Sequence, residues 1–443
     1  MKRYLLATVI LCATVVSSCA EDNATAPNLG IIDINPRTVD VLIPYEDFVD
    51  GIQVFGGYGS TADLDRGSVA LDFDGLSARA LMKVDDLPTS VEVVGSDGVN
   101  RTDSHLSFVG GRVVLAFDTI NGTLDSRVGL ELFDVTEDWH GPTVSWDVAV
   151  DSAGDRRAWT EPGGGAGRTS LGTGIFDAFL GRLIDSSTPL RDTLSIPIDS
   201  AAVARFVEPG ATATGFLLTA TTPESFLNVR DMKLVLTTVP STRPDTVLEL
   251  SVSSEGVNFI VEGVPPVPVG SLRVGGAPSW RSVISMSIPR TVDGTVEVCG
   301  AVGCQVDLTE VHLNLAQLVL TTSQTQAGFH PRDTTRLDLR QVLNPDLLPK
   351  SPLGGVLLPA AKILPPELFS SDADATTSFA ITGFVRDVLG VAAATDTVPD
   401  AALALLSIIE PHMIGFASFA GPGGVGAPAL RLLFTVANEV ELP

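Results

Sequence analysis

Apolar and polar residues alternate along this chain in short runs, and clusters of Gly, Pro and Asp interrupt the runs every few residues. Val39-Asp40-Val41-Leu42-Ile43, Arg112 to Phe117, Leu234-Val235-Leu236 and Val283-Ile284-Ser285-Met286 are representative. A period of two sends successive side chains to opposite faces of a strand, and turn residues bound each run. Val, Leu and Thr dominate these runs, and amphipathic helical periodicity is nearly absent. The best helical windows are Ala201 to Phe206 and Pro399 to Ile409, both short. The pattern predicts an all-β chain.

The pattern also recurs after about 200 residues. TVDVLIP from Thr38 answers TVLELSV from Thr246, and GSVAL from Gly67 answers GSLRV from Gly270. Arg79–Pro88 resembles Arg281–Pro289, and RVVLAFDT from Arg112 answers QLVLTTSQT from Gln317. Leu130-Glu131-Leu132 answers Leu337-Asp338-Leu339, TGFLL at Thr214 answers IGFAS at Ile414, and KLVLTT at Lys233 answers RLLFTV at Arg431. The matches keep one order, with offsets drifting between about 198 and 208 residues. A unit of that length holds enough strands for its own core. The expectation is two tandem jelly-roll-like antiparallel β-sandwich domains, over 38–242 and 245–438. Pro240-Ser241-Thr242-Arg243-Pro244 forms the joint.

The first residues read as an export signal. Lys2 and Arg3 precede an apolar run from Leu5 to Val16, too short to span a bilayer, which needs roughly 20 residues. Val16-Ser17-Ser18-Cys19 closes it and resembles a bacterial lipoprotein lipobox, which makes residues 1–18 a lipoprotein signal peptide. That resemblance implies lipidation of Cys19, with several acyl chains holding the protein to a membrane. Residues 19–37, polar and Pro/Asn-bearing, read as a lipidated tether. Ala20 stands where an inner-membrane retention aspartate would stand, so the sorting resemblance implies the outer membrane. Glu21 and Asp22 resemble the acidic surface-export signals of some Gram-negative lipoproteins.

Composition narrows the partners. The formal charge is −25 over 443 residues, and loss of Lys2 and Arg3 with the leader makes it −27. Such a surface repels phosphate backbones, which argues against nucleic-acid binding. Hydrophobic content of 44% argues for packed cores rather than disorder. With Cys12 in the leader and Cys19 lipidated, Cys299 and Cys304 remain, in VCGAVGCQV. In an oxidising compartment that spacing predicts a disulfide clasping a hairpin, with an entropic effect of about 2 kcal/mol or less. Only His312 lies near this pair, too few ligands for zinc.

Three of the four tryptophans fall in one window: Trp139, Trp146 and Trp159, with Gly141-Pro142 and a Gly-rich loop from Gly163. Thr136-Glu137-Asp138-Trp139, Thr143-Val144-Ser145-Trp146 and Trp159-Thr160-Glu161-Pro162-Gly163-Gly164, with Arg79–Pro88 upstream, resemble the DNRLRE family. That resemblance covers residues 79–239 and implies an extracellular, carbohydrate-binding-module-like β-sandwich. It departs from the family at Gly165, where members usually carry an acid. The second copy has no equivalent tryptophans and matches only at Arg281–Pro289, Phe379–Leu389 and Gly415-Phe416. Large rings are most often core, which suits Trp139 and Trp146. Trp159, between Arg156-Arg157 and PGGGAG, is expected to be exposed and to stack on a sugar. Trp159, Arg157, Trp139 and His140 make up the candidate ligand-contact set.

Other chemistries fall away. GGGAGRTS over 163–170 lacks the first glycine of a phosphate loop and places Arg168 where lysine belongs. No GxSxG, HExxH or kinase signature occurs, and the histidines are scattered. His140 reads as a turn residue rather than a base. Asp72-Phe73-Asp74-Gly75, Asp63-x-Asp65 and Asp372-x-Asp374 could offer oxygens to structural calcium, but lack EF-hand spacing and read as solvated loops. No cofactor is expected. The sequence points to a non-catalytic envelope lipoprotein, at the outer membrane or cell surface, that binds polysaccharide or adheres. The alternative is a structural or assembly lipoprotein that docks a protein partner.

Overall fold

The computed structural model describes residues 35–58, 66–95, 97–118, 127–152, 154–177, 192–252, 254–277, 279–294, 304–370, 374–408, 410, 414–423 and 426–438. The expected leader, Cys19, most of the expected tether, Asp63-x-Asp65, Cys299 and Asp372 lie outside the described residues.

The chain enters through β1 (Asn35–Ile43) and β2 (Val49–Tyr58), so the end of the expected tether is already strand. β3 (Gly67–Phe73), β4 (Leu76–Val84) and the small hairpin β5 (Val91–Val94) and β6 (Asn100–Asp103) follow. β7 (Leu106–Asp118) and β8 (Arg127–Val135) lead to a second hairpin, β9 (Val148–Ser152) and β10 (Asp155–Ala158). β11 (Ser170–Asp177), β12 (Thr193–Ile198), helix α1 (Ser200–Val207), β13 (Gly215–Ala220) and β14 (Ser225–Pro240) complete the first half. The second half begins with β15 (Leu248–Ser251), β16 (Ser254–Glu262), β17 (Leu272–Gly275) and β18 (Ser279–Met286). The hairpin β19 (Thr291–Asp293) and β20 (Gln305–Asp307) precedes β21 (His312–Thr321), β22 (Thr335–Val342), β23 (Leu353–Val356) and β24 (Lys362–Leu364). Last come β25 (Thr376–Ala380), helix α2 (Thr382–Thr395), β26 (Ala401–Ser407), β27 (Phe416–Phe419) and β28 (Ala429–Asn438). The fold is all-β, built of antiparallel sheets in sandwich layers.

One expected helix is present and one is not. In α1, Ala202, Val203 and Phe206 face the core, and the Asp199 carboxylate caps the first turn by accepting from the Ala202 N–H at 2.8 Å. The window Pro399 to Ile409 instead contains β26, all seven of whose residues are buried. A strand covered on both faces shows an unbroken apolar run, which periodicity alone cannot tell from a helix. The longer helix, α2, buries Phe384, Val385, Val388, Leu389 and Ala392 along one stripe.

In the first half, β16-β4-β13-β8-β11 forms one layer, and β15-β14-β7-β12 forms the other. β3 links them, pairing with both β14 and β4. Met82, Leu115, Leu130, Phe216 and Leu234 fill the space between. The second half matches strand for strand: β2-β18-β26-β22 in one layer, β1-β28-β21-β25 in the other. β17 and β27 occupy the linking position, and Ile284, Leu318, Leu403, Leu432 and Phe434 form the core. By pairing, β13 corresponds to β26, so the alignment of TGFLL with IGFAS is displaced: Phe416–Phe419 is β27.

The leading strands do not stay in their own halves. β1 pairs with β28 at the far end of the chain, Val39 opposite Phe434 and Val41 opposite Leu432. β2 pairs with β18, Ile52 opposite Ile284. Reciprocally, β15 pairs with β14, and β16 pairs with β4, Phe259 opposite Ala80. The division at 38–242 and 245–438 is therefore corrected. One unit takes residues 66–262, and the other takes 35–58 with about 270–438. Hydrophobic alternation identifies strands but does not state their partners. A third apolar cluster closes the seam, with Leu76, Phe226 and Phe259 against Phe329, Ile414 and Phe416.

The expected joint is pinned. Asp103 accepts from the Thr242 N–H at 2.7 Å, from the Thr242 hydroxyl at 2.8 Å and from the Ser241 hydroxyl at 3.1 Å. Arg243 donates to the Val94 carbonyl at 2.9 Å. The backbone N–H groups of Thr242 and His105, with these hydroxyls, hold the Asp103 carboxyl well below the usual carboxylate range.

Fragments 38–242 and 245–438, expressed separately, should each lack a cooperative thermal transition, because each loses two strands to the missing piece. The chain from residue 24 onward should melt in one transition by calorimetry. Independent two-state melting of both fragments would contradict the exchanged pairing.

Candidate functional site

Residues 136–168 leave β8, fold over the outer face of the β16-β4-β13-β8 layer and return as β11. Alternation explains why that face can receive them. Ala80 and Met82 point into the sandwich while Leu81 points out, and Phe216 and Leu218 point in while Leu217 points out. Leu81, Leu217, Val135 and Ile260 form the floor, and Trp139, Ala149, Val150 and Trp159 cover it.

The tryptophans are part of this scaffold. Trp159 is 4% exposed, and its indole N–H donates to the Ser145 carbonyl at 2.9 Å. The expectation of an exposed, sugar-stacking Trp159 is therefore overturned: β10 delivers the ring into the cluster beneath the hairpin. Trp139 is 1% exposed and offers no face to a ligand. Trp146, expected in the core, is the half-buried one, with the Arg79 guanidinium 4.6 Å from its ring centroid. Arg157 is exposed and held by Asp138 and Asp155, each at 3.1 Å. His140 is half-buried in a turn, its Nδ1 3.0 Å from the Thr143 hydroxyl. Of the four predicted contact residues, Trp139 and Trp159 are buried, and Arg157 and His140 keep part of their surface open.

The Thr136–Trp139 and Trp159–Gly164 segments form a mutual clamp. Glu137 accepts from the Thr160 N–H at 3.0 Å, the Ala166 N–H at 2.9 Å and the Thr160 hydroxyl. Its acceptors thus tie the start of the flap to the Gly-rich loop at its end. Gly165 (φ +84°) passes so close that a Cβ would lie 2.4 Å from Glu137 Oε1. Gly163 (φ +83°) would carry a Cβ 2.6 Å from Arg79 and 2.9 Å from the Trp146 ring. Both positions require glycine on conformation and on space. Burial acts to raise the Glu137 carboxyl, but the bonds from Thr160 and Ala166 and the field of Arg168 outweigh it and hold it below its ordinary range.

The sequence reading missed a groove beside this clamp. It has a volume of about 500 Å³ and lies along the outer sheet face and the Gly-rich loop. Arg79, Arg168, Glu161, Glu262 and Phe133 line it. Arg79 and Arg168 both donate to the Gly163 carbonyl, at 2.5 and 2.8 Å. Burial first, and the neighbouring Arg168 cation second, pull the Arg79 pKa below its usual value, against the opposing pull of Glu262. Arg79 and Arg168 each stand in a segment the sequence singled out. Glu262 arrives on exchanged β16, which no local signal could have placed here.

Asp72-Phe73-Asp74-Gly75 forms the tight β3–β4 turn, with Asp72 and Asp74 at positive φ. Among the described residues, no group of three or more His, Cys, Asp or Glu side chains gathers as a metal site. No family model matches the chain, and no curated protein matches it.

Trp159→Ala should destabilise by about 3–5 kcal/mol in chemical denaturation, as a buried ring leaving a cavity. Trp146→Ala should cost less, and the reverse order would refute the burial assignment. The Glu137 carboxyl is lowered by folding, so its contribution is complete above the ordinary glutamate range and is lost as pH falls through the folded value. Amide protection at Ala166 should therefore weaken in acid, and Glu137→Gln should flatten that dependence. Unchanged acid sensitivity in the variant would exclude the clamp as its source.

Proposed function

We infer that this chain is a non-catalytic envelope lipoprotein that binds polysaccharide in the groove of its first sandwich unit, not on its tryptophans. One observation carries the reading: a sugar-sized concavity of about 500 Å³ on a rigid sheet face, bearing two guanidiniums, two carboxylates and the Phe133 ring. Planar charged groups of both signs donate to and accept from ring hydroxyls, while an aromatic ring covers apolar sugar C–H groups. The resemblance to DNRLRE domains supports the same ligand class, with the tryptophan motif building the groove's rim.

The export signal and lipobox support attachment by a lipid on Cys19 at the outer membrane or cell surface. No helix among the described residues is long and apolar enough to cross a membrane. Cys304 leads into β20, and the Gly294 N–H donates to its carbonyl at 2.8 Å. That hairpin supports a Cys299–Cys304 disulfide, which mass spectrometry of unreduced protein should detect as a linked peptide. Free thiols on both cysteines after native extraction would exclude it.

A second reading, docking of a protein partner, is favoured by one feature. Val356 and Ile363 are exposed on β23 and β24, opposite Arg340 and Arg336 of β22, at an edge of the second unit. A glycan array on the soluble chain from residue 24 separates the two readings. Binding should weaken roughly 10- to 100-fold in Arg168→Ala, the loss expected for charge-assisted hydrogen bonds. Absence of any glycan signal from the wild type would remove the polysaccharide reading and leave the protein-docking one.

A further inference from the structure

A second concavity lies away from the groove, on the seam between the two units. It has a volume of about 110 Å³, and β3, β14 and β16 meet the segments around Gly328–Asp333 and Ile414-Gly415 there. That is room for several waters or for a small organic anion. Phe226, Phe259 and Ile414 make part of the wall apolar, while Arg66, Arg230 and Arg332 bring guanidiniums to it. In a chain of net charge −25, such a gathering of arginines runs against the overall field.

Arg332 is the informative member. It comes from the second unit, and its guanidinium carbon lies 3.8 Å from the Phe226 ring centroid and 4.3 Å from that of Phe73, both in the first unit. Both rings pack against the guanidinium, and its polar capacity is its N–H donors. Its Nη1 is buried and has no hydrogen-bond partner. A buried, unpartnered donor on a charged group is costly and calls for an acceptor. Burial lowers the Arg332 pKa to about 10, with the field of Asp74 opposing, so the group still carries its charge at neutral pH.

The other polar walls are already committed or complementary. Arg230 donates to Asp192 at 2.6 Å, and Asp333 accepts from the Thr334 N–H at 2.6 Å. The Ser68 hydroxyl donates to Asn228 Oδ1 at 3.3 Å, which leaves the Asn228 amide N–H groups as donors beside the cavity. Asp118 and Asp333 also line the cavity, so a ligand here meets two carboxylates beside donors from both units, and it must aim acceptors at Arg332 and Asn228.

We propose that the seam cavity binds a small carboxylate, held by Arg332 and assisted by Asn228. A planar carboxylate offers two acceptors to a guanidinium. Because the site takes residues from both units, an occupant stabilises their seam as any ligand of the native state does. The inference is independent of glycan binding in the groove.

Calorimetric titration of the mature chain with acetate and with glucuronate, at constant ionic strength set by chloride, tests it. At least one should bind saturably, acetate alone marking a free small acid and glucuronate preference marking a uronic-acid residue of a polymer. Arg332→Met should weaken that binding roughly 10- to 100-fold, and Asn228→Leu should weaken it as well. Lack of saturable binding of either probe overturns the proposal, and so does unchanged affinity in Arg332→Met. Should Arg332→Met not fold, unchanged affinity in Asn228→Leu overturns it in the same way.

Discussion

The backbone ladders of β16 on β4 and of β2 on β18 hold the rest of the structure in place. β4 is paired along one edge by β16, and along the other by β13 and β3 end to end. β18 repeats the arrangement with β2 on one edge and β26 and β17 on the other. Both are central strands, with Leu81, Met82, Val283 and Ile284 buried on their two faces. An unpaired edge there would strand N–H and C=O groups in an apolar interior, at the desolvation cost of each group. In both cases the missing edge comes from the opposite end of the pairing scheme: β2 precedes the first unit in sequence, and β16 follows it.

This constraint reaches the candidate sites. Glu262 at the end of β16 lines the groove, and Phe259 in its middle lines the seam cavity. Ile260, between them, lies in the floor under the tryptophan flap. One exchanged strand therefore contributes to the groove, the seam cavity and the flap's floor. The seam cluster and Arg332 add contacts across the same boundary, which makes the two units poor candidates for independent motion.

Much of the strand inventory was legible because half-buried strands alternate. Val39–Ile43, Arg112–Phe117 and Val283–Met286 all lie in strands. Ala401–Ser407 failed because burial on both faces erases alternation. α2 was overlooked although Phe384, Val385, Val388, Leu389 and Ala392 follow helical spacing, since Gly383, Gly390 and β-branched neighbours depress its propensity. Partner choice was illegible, because the ladder between Val39 and Phe434 has no local signature. At the flap, the sequence marked the right segment and misjudged its rings. Trp159 follows two arginines and precedes a glycine loop, yet Glu137 draws that loop onto the sheet and the ring beneath it. Motif glycines there mark close approach to Glu137 and Trp146 rather than a free, ligand-seeking loop.

Native-state hydrogen exchange tests the central claim most directly. If the exchanged strands complete the central sheets, amides of β2 and β16 should open only with the core strands β4 and β18, at the free energy of global unfolding. Release of β2 or β16 in a separate, lower-energy opening, with β4 and β18 still protected, would contradict the account.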